Sequence, residues 1–162
     1  MRDILFKTDD AVFSLRAAGV IVENGCVLLQ KPEDDPGYAF PGGHIAFGET
    51  GAQTLEREFR EEINADVTVG ELLWTGEIFF PWGNRPCHQI CLYYRVRLTD
   101  DRTPRTGSFS GVEQTEGRKT ALGFHWIPLD ALDALPLYPP QCKDLLKNPP
   151  QGLSHFVYHE DE

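Results

Sequence analysis

Long apolar runs are missing from this chain. No stretch approaches the ~18–20 consecutive apolar residues that a membrane-crossing helix needs, so no membrane partner is expected. The first ten residues, Met1 to Asp10, carry no apolar block of the kind found in a secretory signal. Cysteine is scarce as well. Cys26, Cys87, Cys91 and Cys142 form no Cys-x-x-Cys pair, and Cys87-His88 with Cys91 is the nearest approach to a zinc cluster. Packed free thiols in a reducing cytoplasm are the expectation. Positive charge is in deficit: 15 Lys and Arg against 25 Asp and Glu leave a formal net charge of −10. A surface of that sign repels phosphate backbones and argues against a nucleic-acid polymer as partner. Internal repeats and linkers are also lacking, so residues 1–162 are expected to form one domain, long enough to bury a core without staples.

What is present is a succession of short β-type runs around one strong helix. Ser14 to Val22 and Cys26 to Gln30, joined by Asn24-Gly25, read as a β-hairpin. Val67 to Phe80 and Cys87 to Leu98 read as two long strands, with Pro81-Trp82-Gly83-Asn84 as the turn. Asp100 to Gly117 is polar and glycine-bearing and reads as a mobile loop. Ala121 to Ile127 reads as a strand. Short helices are expected from Pro128 to Leu135 and from Pro139 to Leu146, and Ser154 to Tyr158 as a last edge strand. The order implies an α/β fold, a mixed β-sheet sandwiched between helices.

The helix after Thr50 carries the chemistry. Thr50 and Gln53 have capping-box spacing, and Ala52, Leu55, Phe59 and Ile63 form an apolar stripe. Asn64 stands where a helix ends in a left-handed residue. Each helical residue advances by about 100°, so Glu58, Glu61 and Glu62 fall on one side, next to the stripe. Three neighbouring carboxylates repel one another and raise at least one pKa unless a cation enters. Like charges at these spacings do nothing for an isolated helix, and hard oxygen ligands suit Mg²⁺ or Mn²⁺. A solvated acidic face, helped by Arg57 and Arg60, is the alternative.

The segment Gly43 to Ala65 resembles the Nudix box. Gly43, Glu49, Arg57, Glu58, Glu61 and Glu62 all fall at the required spacing. Six fixed residues coincide in one frame by chance with odds on the order of 10⁻⁷. Asn64 replaces the usual glycine, Ala65 is a small version of the final apolar residue, and Phe59 is larger than usual. With the preceding Phe40-Pro41-Gly42 and the strand pattern that follows, the resemblance extends over residues 12–135, leaving 136–159 as a C-terminal extension. It implies an α/β/α sandwich with a catalytic loop and helix. It also implies a hydrolase that cuts the pyrophosphate bond of a nucleoside diphosphate linked to another moiety. Glu58 and Glu62 become metal ligands, Glu61 a ligand or its neighbour, and the Gly42 or Gly43 carbonyl a further oxygen. Arg57 and Glu49 orient the acidic loop, and Glu49 also counts among the substrate-side residues.

The general base stays open between Glu58 and a loop acid, Glu113 or Glu116. Phe80, Trp82 and Tyr93 are candidates for stacking on a base, with sheet core as their alternative. Arg16 and His44 flank the expected cleft and are candidates for phosphate contact. Pro81 lies roughly where ADP-sugar-cleaving relatives often carry a proline, although a turn proline explains it better. ADP-sugars, (deoxy)nucleoside triphosphates and dinucleoside polyphosphates are all open as substrates, and the resemblance implies a homodimer as the expected assembly. A non-catalytic nucleotide sensor is the runner-up, opposed by the intact acids. Isomerase chemistry on isoprenoid diphosphates finds no support in Cys87 and Cys91.

Overall fold

The computed structural model describes residues 2–115 and 117–160. Two sheets organise it. The larger is mixed, with strand order β1 (Leu5–Lys7), β2 (Val12–Val20), β7 (Arg85–Leu98), β6 (Val67–Trp82) and β10 (Ser154–His159). The short β5 (Gly42–His44) pairs with β2 beyond the end of β1: β1 takes residues 12–14 of β2, and β5 takes residues 16–18. The β2–β7 and β6–β10 pairs are parallel and the others antiparallel. The smaller sheet is antiparallel, in the order β3 (Val22–Glu23), β4 (Cys26–Pro32), β9 (Arg118–Pro128), β8 (Ser108–Thr115).

Side-chain alternation along β2 assigns the two faces of the large sheet. Ala17 points toward α1 (Gly51–Ile63), whose Leu55 and Phe59 pack with Ile21, Leu28, Val96 and Phe124. Ala18 and Val20 point the other way, into a cluster of Phe40, Trp74, Tyr93, Leu137, Cys142 and Leu146. Cys142 and Leu146 belong to α2 (Gln141–Lys147), so helices stand on both faces of the mixed sheet. Fully burying a side chain such as Phe59 contributes roughly 1.5–3 kcal/mol.

Local signals explain α1. Thr50 accepts from the Gln53 amide at 3.1 Å, and the Gln53 side chain accepts from the Thr50 amide at 2.9 Å. At the other end Asn64 sits in the left-handed region (φ 53°), and its carbonyl accepts from Arg102 at 3.0 Å.

Three differences from the sequence expectation stand out. The Asn24-Gly25 turn is present, with φ of 52° and 75°, but it joins β3 to β4. The run Ser14 to Val22 splits at Ile21, where the chain leaves one sheet for the other. The segment 100–117, expected to be a loop, contains β8. Phe109 stacks on Phe124 with centroids 5.5 Å apart, and a Cβ on Gly111 would sit 2.8 Å from the Glu62 carbonyl. A strand can lie this close to α1 only at a glycine. Third, β6 runs through Pro81 and Trp82, so the turn shrinks to Gly83-Asn84.

Candidate active site

The loop before α1 is tied to the helix by one guanidinium. Arg57 Nε and Nη2 donate to the two oxygens of Glu49, each at 2.9 Å, in a bidentate fork. Its Nη1 donates to Glu58 at 3.0 Å and to Glu61 at 3.3 Å. Thr54 Oγ1 adds a bond to Glu49 at 3.0 Å. The Arg57 fork holds the Glu49 carboxyl below its ordinary range despite burial, with Thr54 assisting.

The three helix acids separate by environment. Glu61 has a side chain 57% exposed and rests on Arg57. Glu62 is 6% exposed. Burial, then the charge of Glu58, pushes Glu62 well above the carboxylate range; Arg16 opposes this, and Glu113 and Glu61 add to it. Glu58 is pushed up to about 7, chiefly by burial, against the pull of Arg57 and Arg16. Glu58 and Glu62 are therefore hard oxygen donors that resist ionising without a neighbouring cation, a donor set that fits Mg²⁺ or Mn²⁺. Among the described residues no three acidic, imidazole or thiol groups already converge as a ligand cluster. Glu58 and Glu61 share Arg57 instead.

Gly42 and Gly43 set how closely β5 approaches these groups. A Cβ on Gly43 would lie 2.4 Å from the Glu58 carboxyl carbon, and one on Gly42 would lie 2.0 Å from the Ala17 carbonyl oxygen. Backbone thus runs directly past the Glu58 carboxylate.

Glu58 forms one wall of a cavity of about 560 Å³, within the range of small-molecule sites. Gly42, Gly43, Arg16 and Glu113 line the same cavity. Arg16 donates to the Phe40 carbonyl at 2.8 Å, while its Nε is buried with no partner among the described residues. His44 pairs with Arg16 across β5 and β2, and burial, then Arg16, lowers its pKa, which keeps the ring neutral. Its ring lies 6.2 Å from that of Trp82, and Lys7 Nζ sits 5.2 Å from the Trp82 centroid. Phe80 and Trp82 line the cavity from β6, their rings 6.3 Å apart.

Such a pairing of a carboxylate wall with a guanidinium and aromatic rings suits a phosphorylated, ring-bearing ligand. A family model described as NUDIX domain matches residues 14–147. The chain belongs to the Nudix family. Over 70 residues this Nudix chain is 43% identical to an 8-oxo-dGTP diphosphatase from Proteus vulgaris. That match covers 40% of this chain, which spans 62% of the length of that curated relative. A mutator MutT protein from Bacillus halodurans has the same Nudix fold, with a TM-score of 0.60 and 19% identity over 90% of this chain and 89% of that one. An ADP-ribose pyrophosphatase from Streptococcus suis superposes with a TM-score of 0.51 and 18% identity, over 90% of this chain and 98% of that one.

The structure gathers Arg16, Gly42, His44, Glu58, Phe80, Trp82 and Glu113 on the Nudix cavity. Glu62 lies buried beside it and Glu61 outside it. Glu49 is not on its wall; both its oxygens are engaged by Arg57 and Thr54. Glu116 lies outside the described residues. Tyr93 is 3% exposed and packs between Trp74 and Phe40, with one edge on the cavity. Sequence reasoning missed Gln89, Tyr138, Tyr158 and Glu160, which also line it. Alternation in β7 could have flagged Gln89 as facing the same way as Cys87 and Cys91. Nothing local could have placed β10 along β6. All four cysteines are free thiols, and no helix among the described residues is long and apolar enough to cross a membrane.

Proposed function

We propose that this chain is a divalent-metal-dependent pyrophosphohydrolase acting on a nucleoside diphosphate linked to another moiety. The observation that carries this reading is one cavity lined by the acids Glu58 and Glu113, by Arg16 and His44, and by the rings of Phe80 and Trp82. Glu58 and Glu62 would hold the metal, with Glu61 beside them and the Gly42 carbonyl as a further oxygen. When bound, Mg²⁺ or Mn²⁺ neutralises phosphate oxygens and acidifies the attacking water.

The chain's own groups do the remainder. Arg16 and neutral His44 hold phosphate oxygens, and Phe80 and Trp82 stack on the base, a contact worth about 1–3 kcal/mol. Arg57, through Glu49, fixes the loop against which Glu58 is aimed. The water's proton goes to a carboxylate, Glu58 or Glu113; Glu116 is the third acid of this reading. A homodimer belongs to the same reading and is tested by light scattering. Similarity to an 8-oxo-dGTP diphosphatase supports a deoxynucleoside triphosphate, rather than an ADP-sugar, as the substrate of this chain.

The test is phosphate release from nucleoside triphosphates, ADP-ribose, other nucleotide sugars and dinucleoside polyphosphates, with Mg²⁺ or Mn²⁺ and a coupled phosphatase. Metal-dependent release on one subset, lowered by about 10²–10⁴-fold in Glu62→Gln, supports the enzyme and names its substrate. Nucleotide binding without release from any of them would replace it with a sensor.

A further inference from the structure

We propose that Gln89 selects the base, as a fixed acceptor that favours guanine-type bases presenting N–H donors; this rests on the nucleotide reading above. Gln89 is 9% exposed and lies on the cavity floor among Ile78, Phe80, Cys91 and Tyr93. A buried amide on an apolar wall must have its polar atoms satisfied. Its Nε2 donates to Ser14 Oγ at 2.9 Å, and both groups are buried. The Gln89–Ser14 bond turns the amide nitrogen toward β2 and leaves the carbonyl oxygen on the cavity side. Among the described residues no donor meets that oxygen.

An immobilised acceptor in a desolvated pocket discriminates by hydrogen-bond polarity. A 6-oxopurine with a 2-amino group offers N1–H and N2–H side by side, and both can share one carbonyl oxygen. Adenine offers a ring acceptor at the equivalent position, which repels it. The register supports a reading role, because Gln89 pairs with Ser14 on one side and Ile78 on the other, two strand positions from the level of Phe80. A base stacked on the Phe80 and Trp82 rings would present an edge to this part of the sheet.

The experiment measures kcat/KM for dGTP, dITP (which lacks the 2-amino group), dATP and deoxyribose 5-triphosphate (which lacks a base) in wild type, Gln89→Met and Gln89→Glu. Wild type is expected to prefer dGTP over dITP and dATP. Gln89→Met should lose about tenfold on dGTP, mainly in KM, and stay within twofold on dATP and the base-free substrate. Gln89→Glu keeps an acceptor at the same place and should retain the dGTP preference, which covers the case of a Met variant that fails to fold. Equal losses on all four substrates, or no change on any, would overturn the assignment. If wild type hydrolyses none of the four, triphosphates are excluded as its substrates and the wider panel above decides the hydrolase reading. Calorimetric titration of GDP against ADP then tests Gln89 alone: a guanine preference lost in Gln89→Met supports it, and equal affinities refute it.

Discussion

Adding one methyl group to Gly43 tests how the acidic wall is built. The new Cβ would meet Glu58 Cδ at 2.4 Å, Oε1 at 2.5 Å and Cγ at 2.8 Å. Ordinary contacts lie about 1 Å farther out, so the carboxylate must swing away by that amount, against its 3.0 Å bond to Arg57. Overpacking of this kind costs about 1–3 kcal/mol, or roughly 2–10 °C of Tm for a chain of this size. If Glu58 holds the metal as proposed, moving it should cost more in function than in stability. Mn²⁺ affinity is expected to fall about 10- to 100-fold, and turnover about 10²-fold for a 1 Å misplacement. Gly42→Ala is the counterpart. Its Cβ would strike the Ala17 carbonyl oxygen at 2.0 Å and the Ala18 Cα at 2.9 Å. That is backbone, and it can yield only by breaking the β2–β5 pair. Thermal melts with and without Mn²⁺, and the free-Mn²⁺ electron paramagnetic resonance signal, separate the two variants. Gly43→Ala should fold and lose the Mn²⁺-induced rise in Tm, whereas Gly42→Ala should melt far lower in both conditions. A Gly43→Ala protein that binds Mn²⁺ and turns over like wild type would refute the placement of Glu58 as a ligand beside β5.

Three further outcomes are expected. Arg57→Lys loses the bidentate fork to Glu49, so activity should fall about 10- to 100-fold; a double-mutant cycle with Glu49→Gln should show coupling of about 1 kcal/mol or more, and additive effects would break the clamp argument. Burial holds Glu58 up to about 7 and Glu62 well above the ordinary carboxylate range, so the metal-free fold keeps protons there. Groups raised in this way stabilise the fold fully below their unfolded range and lose that contribution as pH climbs through 7. Metal-free Tm should therefore drop between pH 5 and 8 while Mn²⁺ affinity rises, and calorimetry in two buffers at pH 6.5 should detect proton release on binding. Asp100 is 7% exposed and accepts from the amides of Asp66, Arg102 and Thr103. Burial works against its charge, yet these bonds win and bring its pKa down to about 2. Asp100→Ala should cost about 2 kcal/mol of stability above pH 4, with turnover at 25 °C unchanged. The wild-type share of that stability should vanish as pH falls through 2, and a Tm difference that persists at pH 1.5 would contradict the argument.

Where local chemistry decides structure, the sequence was legible. Thr50 with Gln53, and Asn64, mark both ends of α1 because capping satisfies orphan backbone groups within a few residues. The shared face of Glu58, Glu61 and Glu62 follows from helical geometry alone. Which of them is buried does not follow, because it depends on β8, whose Gly111 passes against the Glu62 carbonyl from another part of the chain. For the same reason β8 read as loop: Ser108, Ser110 and Gly111 suggest solvent until Phe109 finds Phe124. Gln89 lies in the strand Cys87 to Leu98 with no local motif to mark it. Its meaning comes from Ser14, 75 residues away.

The two parallel pairings have a consequence for how the cavity forms in time. Its floor depends on β2 meeting β7, with contacts 75 residues apart in sequence, and one wall depends on β10 meeting β6, with contacts 80 residues apart. Loop closure over such distances precedes any gain from the contacts themselves, so pairs of this kind form late. The β6–β7 hairpin and α1, whose contacts are local, can be in place while the cavity is still open to solvent. In refolding, helical signal should therefore return before ligand binding does.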